Sequence, residues 1–199
     1  MPYATIDNSR LDRREIMPEL LGDISDFLVV GGIAGGSKDV GAHAKHTSNL
    51  FLLGGAMGGA AMTALGLAQA QPSRQVLLVT GDGELLMGLG SLATIGARLP
   101  TNLSILVVDN AIYGSTGDQA THTAFGIDLK TIAEGCGIPN TRLVTMREQV
   151  AEASQLLHQK DTPCFVVVKV HGGPPGKFKL NQHAEECKLE FRRALLGKR

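Results

Sequence analysis

The chain of 199 residues has no tryptophan, few aromatic residues (4%), three cysteines and no net charge, its 19 basic residues balancing 19 acidic ones. Each shortage closes off a class of function. Without a basic excess there is no long-range field to gather nucleic acid or an anionic membrane, so any anion site must be local. Cys136, Cys164 and Cys187 are odd in number and widely spaced, with no C-x-x-C pair. That suits neither a disulfide framework nor a zinc or iron–sulfur centre, and they read as ordinary thiols. Apolar stretches such as Leu50 to Ala61 are too short and too glycine-rich for a membrane span, and the N-terminus lacks the basic-then-apolar layout of a signal peptide. The expectation is a cytoplasmic protein with a small-molecule site.

What the chain has in excess is glycine, 25 in all, dense between Gly31 and Gly96. There the backbone must turn sharply or approach something closely, and a phosphate-bearing ligand is one such thing. With 43% hydrophobic residues the chain can bury the core of one domain.

Strand and helix patterns alternate. Asp12 to Leu21 reads as a helix, Phe27 to Val30 as a buried strand ended by Gly31-Gly32, and Leu50 to Leu53 as a second strand. A small-residue helix follows from Gly58 to Gln71, closed by Pro72. The clearest unit is Val76 to Val79 as a strand, the turn Gly81-Asp82-Gly83, and an apolar helix from Glu84 to Arg98. Leu103 to Val108 is the next strand, and Asp109 to Gly126 a loop too long for a mere connection. A helix over Asp128 to Cys136 and a strand over Thr141 to Val144 come next. A capping box at Thr145 to Glu148 then opens a helix to Lys160, and Cys164 to Val170 is the last strand. The order predicts a three-layer α/β/α fold with a mostly parallel sheet. Gly172 to Gly176 breaks the pattern, leaving a polar tail with a helix near Glu185 to Leu196. The division expected is one domain over residues 1–172 and a tail over 173–199 packing on that domain or on a partner.

The chemistry gathers at Gly81-Asp82-Gly83, where a strand ends and a helix begins. Free amides on Gly83, Glu84 and Leu85 can point at a diphosphate. Asp82 would repel it unless a cation sits between, and Mg²⁺ resolves the conflict by sharing oxygen ligands with phosphate. If the next strand is a neighbour, Asn110 brings an amide oxygen and Ile112 a backbone carbonyl to the same cation.

Asn110 follows Asp82 by 28 positions, and Gly54-Gly55-Ala56-Met57-Gly58 lies upstream. Together these resemble the signature of the thiamine-diphosphate enzymes, in their diphosphate-binding domain. More narrowly, residues 83–95 and 109–122 make the chain similar to beta subunits of sulfopyruvate decarboxylase and to the C-terminal part of phosphonopyruvate decarboxylases. The resemblance spans roughly residues 10–172. It implies thiamine diphosphate and Mg²⁺ as cofactors, with Asp82, Asn110 and the Ile112 carbonyl as metal ligands. It implies that Met57 wedges the cofactor into its bent form and that the Gly55 carbonyl accepts from the aminopyrimidine. Ala56, Gly81, Gly83, Glu84, Leu85, Tyr113 and Gly114 complete the implied cofactor contacts.

Two positions depart from the family pattern, which has Asn-Asn where this chain has Asp109-Asn110, and Gly-Gly-Gln-Pro where it has Gly117-Asp118-Gln119-Ala120. The family's pyrimidine-binding glutamate belongs to a separate domain for which 199 residues leave no room, so a pyrimidine-binding partner subunit is implied. The reaction implied is loss of CO₂ from a 2-oxo acid, sulfopyruvate or phosphonopyruvate. His43, Lys45, His46, Thr121 and His122 are the candidates for its acidic tail, His122 equally a plain solvated residue. The rival readings are an acetolactate-synthase-like carboligase, a 2-oxo-acid oxidoreductase subunit, and a non-catalytic cofactor-binding module.

Overall fold

A computed structural model describes residues 11–181 and 183–197. In chain order the larger elements are α1 (Arg13–Leu21), β1 (Leu28–Gly31), α2 (Gly35–His43), β2 (Leu50–Leu52), α3 (Ala60–Ala70), β3 (Val76–Gly81), α4 (Asp82–Met87), α5 (Ser91–Arg98) and β4 (Leu103–Asp109). A hairpin, β5 (Ile112–Tyr113) and β6 (Gln119–Ala120), precedes α6 (Leu129–Gly135), β7 (Asn140–Val144), α7 (Val150–His158), β8 (Cys164–Lys169) and α8 (Ala184–Leu196).

Six strands form one parallel sheet in the order β2-β1-β3-β4-β8-β7. The pleat sends alternate side chains to opposite faces. Val29, Leu77, Val79, Leu106, Val108, Val166 and Val168 face one core with Ile16 and Leu20 of α1 and Val150 and Leu157 of α7. Their neighbours Leu28, Val30, Leu78, Ile105, Val107 and Val167 face a second core with Ala61, Ala64 and Leu65 of α3 and Leu92 and Ile95 of α5. Burial on both faces explains why the strands read as continuous apolar runs. The three-layer α/β/α architecture is the one expected. Among the described residues no helix is long and apolar enough to cross a membrane.

The strand order changes direction twice, between β1 and β3 and again at β7, from which the chain turns back to insert β8 beside β4. From β1 the chain moves outward to β2, then returns across β1 to place β3 on its other side. The connections leaving the carboxyl ends of β1 and β3 therefore run to opposite faces of the sheet, α2 on one and α4–α5 on the other, and the crevice between them is where open α/β sheets hold ligands.

Three local readings need correction, and one helix was not expected. The helix expected over Glu84 to Arg98 is two helices, because Gly88 lies against the backbone of Gly58 and a side chain there would strike the Gly58 carbonyl. The segment 35–43, too glycine-rich to signal a helix, is α2. The long loop after β4 folds back as the β5–β6 hairpin and a 3₁₀ turn at His122–Phe125. Ahead of α7 the Gln149 side chain, not Glu148, reaches back, accepting from the amides of Thr145 (2.8 Å) and Met146 (3.1 Å).

The tail lies on the same body. Gly176 donates its amide to Asp39 Oδ1 (2.9 Å) on α2, and Phe191 of α8 stacks at a tilt on Phe51 of β2.

Candidate active site

A cavity of about 480 Å³ opens at the carboxyl ends of β1, β3 and β4. Each strand hands it one turn: Ile33 to Gly36 after β1, Gly81 to Glu84 after β3, and Asn110 to Gly114 after β4. Met57 enters from the loop before α3, and Gly172 to Pro175 close a further side.

Asp82 is the first residue of α4, 1% exposed, and Thr121 donates to its Oδ2 at 2.5 Å. Thr123 Oγ1 stands 3.3 Å from that oxygen and 2.8 Å from Oδ1 of Asp109. Burial pushes the Asp82 carboxyl up to about 6, and the charge of Asp109 adds to the rise. An acid lifted this far at a cleft is a candidate functional group.

The turn carrying Asn110 is held in a sparsely populated shape. Ala111 has φ of +63°, and its amide donates to Asp109 Oδ1 at 3.0 Å. Asn110 Oδ1 accepts from the Ile112 amide at 3.3 Å. Asp109 is itself held by Lys169, in register on β8, whose Nζ lies 2.5 Å from Oδ2. The acid at 109, where the family pattern has asparagine, thus comes with its own counter-charge.

Glu84 does more than start its helix. Its buried carboxylate accepts from the Ile33 amide (2.9 Å), the Thr80 hydroxyl (2.9 Å) and the Ala60 amide (3.3 Å). Burial raises its pKa above the ordinary glutamate value. One side chain so ties the turn after β1, the end of β3 and the start of α3. Gly83 lacks a Cβ because one would meet the Tyr113 ring at 2.5 Å.

Of the residues singled out in the sequence, Met57, Gly81, Asp82, Gly83, Glu84, Asn110, Ile112, Tyr113 and Gly114 line this one cavity. Gly55 and Ala56 are exposed on the adjoining loop, and Leu85 is buried in the core behind it. His122 is exposed on the 3₁₀ turn and does not line the cavity, while Thr121 is spent on Asp82. His43 contacts the Gly22 carbonyl (2.6 Å), Lys45 pairs with Asp23 (2.8 Å) and His46 with Ser48 (3.1 Å). Those three are engaged elsewhere. Residues missed in the sequence include Lys38 and Arg13 at the cavity wall, Thr123, and Lys169. Strand register brings Lys169 to Asp109, and the fold of the 3₁₀ turn brings Thr123 there.

The donor set suits a hard cation: a carboxylate, an amide oxygen and a carbonyl on neighbouring strand ends, leaving positions for phosphate oxygens and water. Among the described residues no three His, Cys, Asp or Glu side chains converge as a softer metal would need.

A cavity at the switch point of a parallel sheet places the chain among the open α/β proteins that bind a ligand there. The family is more particular. Residues 39–168 match the family "Thiamine pyrophosphate enzyme, C-terminal TPP binding domain", and the chain belongs to it. It is 34% identical over 157 residues to the sulfopyruvate decarboxylase subunit beta of Methanocaldococcus jannaschii, covering 78% of this chain and 81% of that one. The subunit beta of Methanococcus maripaludis is 33% identical over 185 residues, 93% of this chain and 98% of that one. Phosphonopyruvate decarboxylase of Streptomyces viridochromogenes is 41% identical over 123 residues, 62% of this chain but 30% of its own. Among solved structures, a thiamine diphosphate-dependent 4-hydroxybenzoylformate decarboxylase of Rhodococcus jostii superposes with a TM-score of 0.66 at 19% identity. A thiamin diphosphate-dependent enzyme of Mycobacterium smegmatis gives 0.64 at 20%. This chain covers 89% and 85% of itself in those matches but only 35% and 32% of the other chains, and at such identities they speak for the fold alone.

Proposed function

We propose that this chain is the diphosphate-binding subunit of a thiamine-diphosphate- and Mg²⁺-dependent decarboxylase acting on a small 2-oxo acid with a strongly acidic tail, 3-sulfopyruvate or 3-phosphonopyruvate. The observation that carries the reading is the convergence of Asp82, Asn110 and Ile112 on one cavity at the switch point of a sheet, in a chain similar over nearly its whole length to a sulfopyruvate decarboxylase beta subunit.

Asp82, Asn110 Oδ1 and the Ile112 carbonyl would hold the metal, and the amides opening α4 would meet the phosphates. When bound, thiamine diphosphate supplies the electron sink for loss of CO₂. The chain's own part is to bind and orient it. Met57, 37% exposed at the cavity mouth, has a flexible thioether suited to filling the space beneath a bent cofactor. Glu84 fixes the three segments that shape the wall, and Thr121 holds Asp82 to one orientation.

The acid that serves the pyrimidine ring would come from a partner. Within this cavity Asp82 is engaged by threonines, Glu84 by three donors, and Asp118 stands on the exposed hairpin. A pyrimidine-binding subunit completing the site fits the name "subunit beta" borne by the relatives.

The test is to purify the chain with whatever binds it in the presence of thiamine diphosphate and Mg²⁺, then assay the complex on both acids. Stoichiometric CO₂ and aldehyde are the expected products. An acyloin would point to the carboligase reading instead, and no turnover of either acid would remove the substrate assignment.

A further inference from the structure

Charge around the cavity is unevenly spent. Asp82 and Glu84 bring two buried acids, and an incoming cofactor adds the charge of a diphosphate, more than one divalent cation can balance. The basic groups nearby are mostly committed. Arg13 reaches the cavity wall, but its guanidinium is bound to Asp39, through Nε at 3.0 Å and also through a terminal nitrogen. Lys169 is held by Asp109.

Lys38 is different. It sits half-buried on the first turn of α2 and lines the cavity, and among the described residues its ammonium pairs with no carboxylate. The amides of Gly35, Gly36 and Ser37 open the same helix, where no helical carbonyl is in reach; the first intrahelical bond runs from the Lys38 amide to the Ala34 carbonyl. The neighbouring wall is fixed, since Gly176 donates to Asp39 and so holds the segment Gly172 to Pro175 beside this turn.

We infer that Lys38 is the anion-binding cation of this cavity, receiving a tetrahedral oxyanion, a phosphoryl or sulfonyl group, at the start of α2. That oxyanion is either the cofactor phosphate not held at Asp82 or the acidic tail of the substrate. The choice between them rests on the function proposed above. A lysine serves here as a point charge that can follow either group, and a charge-assisted contact of this kind is worth roughly tenfold in affinity.

The test compares Lys38→Met and Lys38→Arg with the unaltered full-length chain. Magnesium pyrophosphate binding is read by calorimetry, and KM for 3-sulfopyruvate and for pyruvate is read on the complex with its partner. Roughly tenfold weaker pyrophosphate binding in Lys38→Met, recovered in Lys38→Arg, assigns the lysine to the cofactor. Unchanged pyrophosphate binding with a similar rise in KM for 3-sulfopyruvate but not pyruvate assigns it to the substrate. A complex inert toward 3-sulfopyruvate and 3-phosphonopyruvate would sink the functional reading while the pyrophosphate titration still judged Lys38. Lys38→Met equal to the unaltered protein in pyrophosphate affinity and in every KM overturns the inference.

Discussion

Lys169 Nζ stands 2.5 Å from Asp109 Oδ2, one strand away and in register with it, so that a fully buried carboxylate and a largely buried ammonium share the carboxyl end of two inner strands beside the cavity. Removing only the cation leaves a charge in the core with nothing to balance it. Lys169→Met is therefore expected to cost about 3 kcal/mol of stability, measured by urea unfolding. Asp109→Asn with Lys169→Met, neutral at both places, should recover most of that loss. Additive single and double variants would show that the two residues are not coupled.

Glu84 offers a graded test of its triple tie. Replacement by alanine orphans the Ile33 amide, the Ala60 amide and the Thr80 hydroxyl together, at a cost of about 3 kcal/mol. Glutamine keeps one oxygen for the Ile33 and Thr80 donors but turns its NH₂ toward Ala60, costing about 1 kcal/mol. Thermal unfolding of the two variants would show the order, and equal losses would mean that the carboxylate is not the link.

The fold and half of the cavity were legible in the sequence for the same reason. Strands buried on both faces must be apolar throughout, so Val76 to Val79 and Leu103 to Val108 declare themselves, and the turn at Asp82 falls where such a strand ends. What a one-dimensional pattern cannot carry is register and side-chain reach. Lys169 meets Asp109 across 60 positions and Glu84 reaches Ile33 across 51. Neither pairing has a local signal. The helix α2 was hidden by its own glycines and by the lack of a capping side chain, so Lys38 sat unnoticed while His43, Lys45 and His46 drew attention by charge alone. Asp118 shows the converse: its φ of +59° explains why the family pattern has glycine there, a backbone demand that aspartate also tolerates.

Met57 separates stability from turnover. The residue is 37% exposed, so truncation removes only part of the burial a core methionine has, and Met57→Ala should cost about 1 kcal/mol, less than the roughly 2–5 kcal/mol of a fully buried methionine. If the thioether shapes the bound cofactor, kcat of the complex should fall roughly tenfold or more, since small misplacements of reacting groups are costly. A variant with unchanged kcat would remove the wedge role while leaving the cavity assignment in place.

Asp82 makes the sharpest pH prediction. Its carboxyl is pushed up to about 6, first by burial and then by Asp109, from an ordinary value near 3.8. A carboxyl raised on folding binds its proton more tightly in the native state, so its contribution to stability is complete below the unfolded value and is lost as pH rises through the folded one. The metal-free chain should thus lose on the order of 2–3 kcal/mol between about pH 4 and pH 6 through this group. Asp82→Asn should abolish that loss and leave the metal-free protein more stable at neutral pH. If Asp82 holds Mg²⁺, which needs the ionised form, binding with thiamine diphosphate should release roughly three-quarters of a proton from this group at pH 5.5 and almost none at pH 8. Calorimetry in two buffers of different ionisation enthalpy measures this directly. Release that is the same at both pH values, or Mg²⁺-dependent cofactor binding that survives in Asp82→Asn, would remove Asp82 from the metal site.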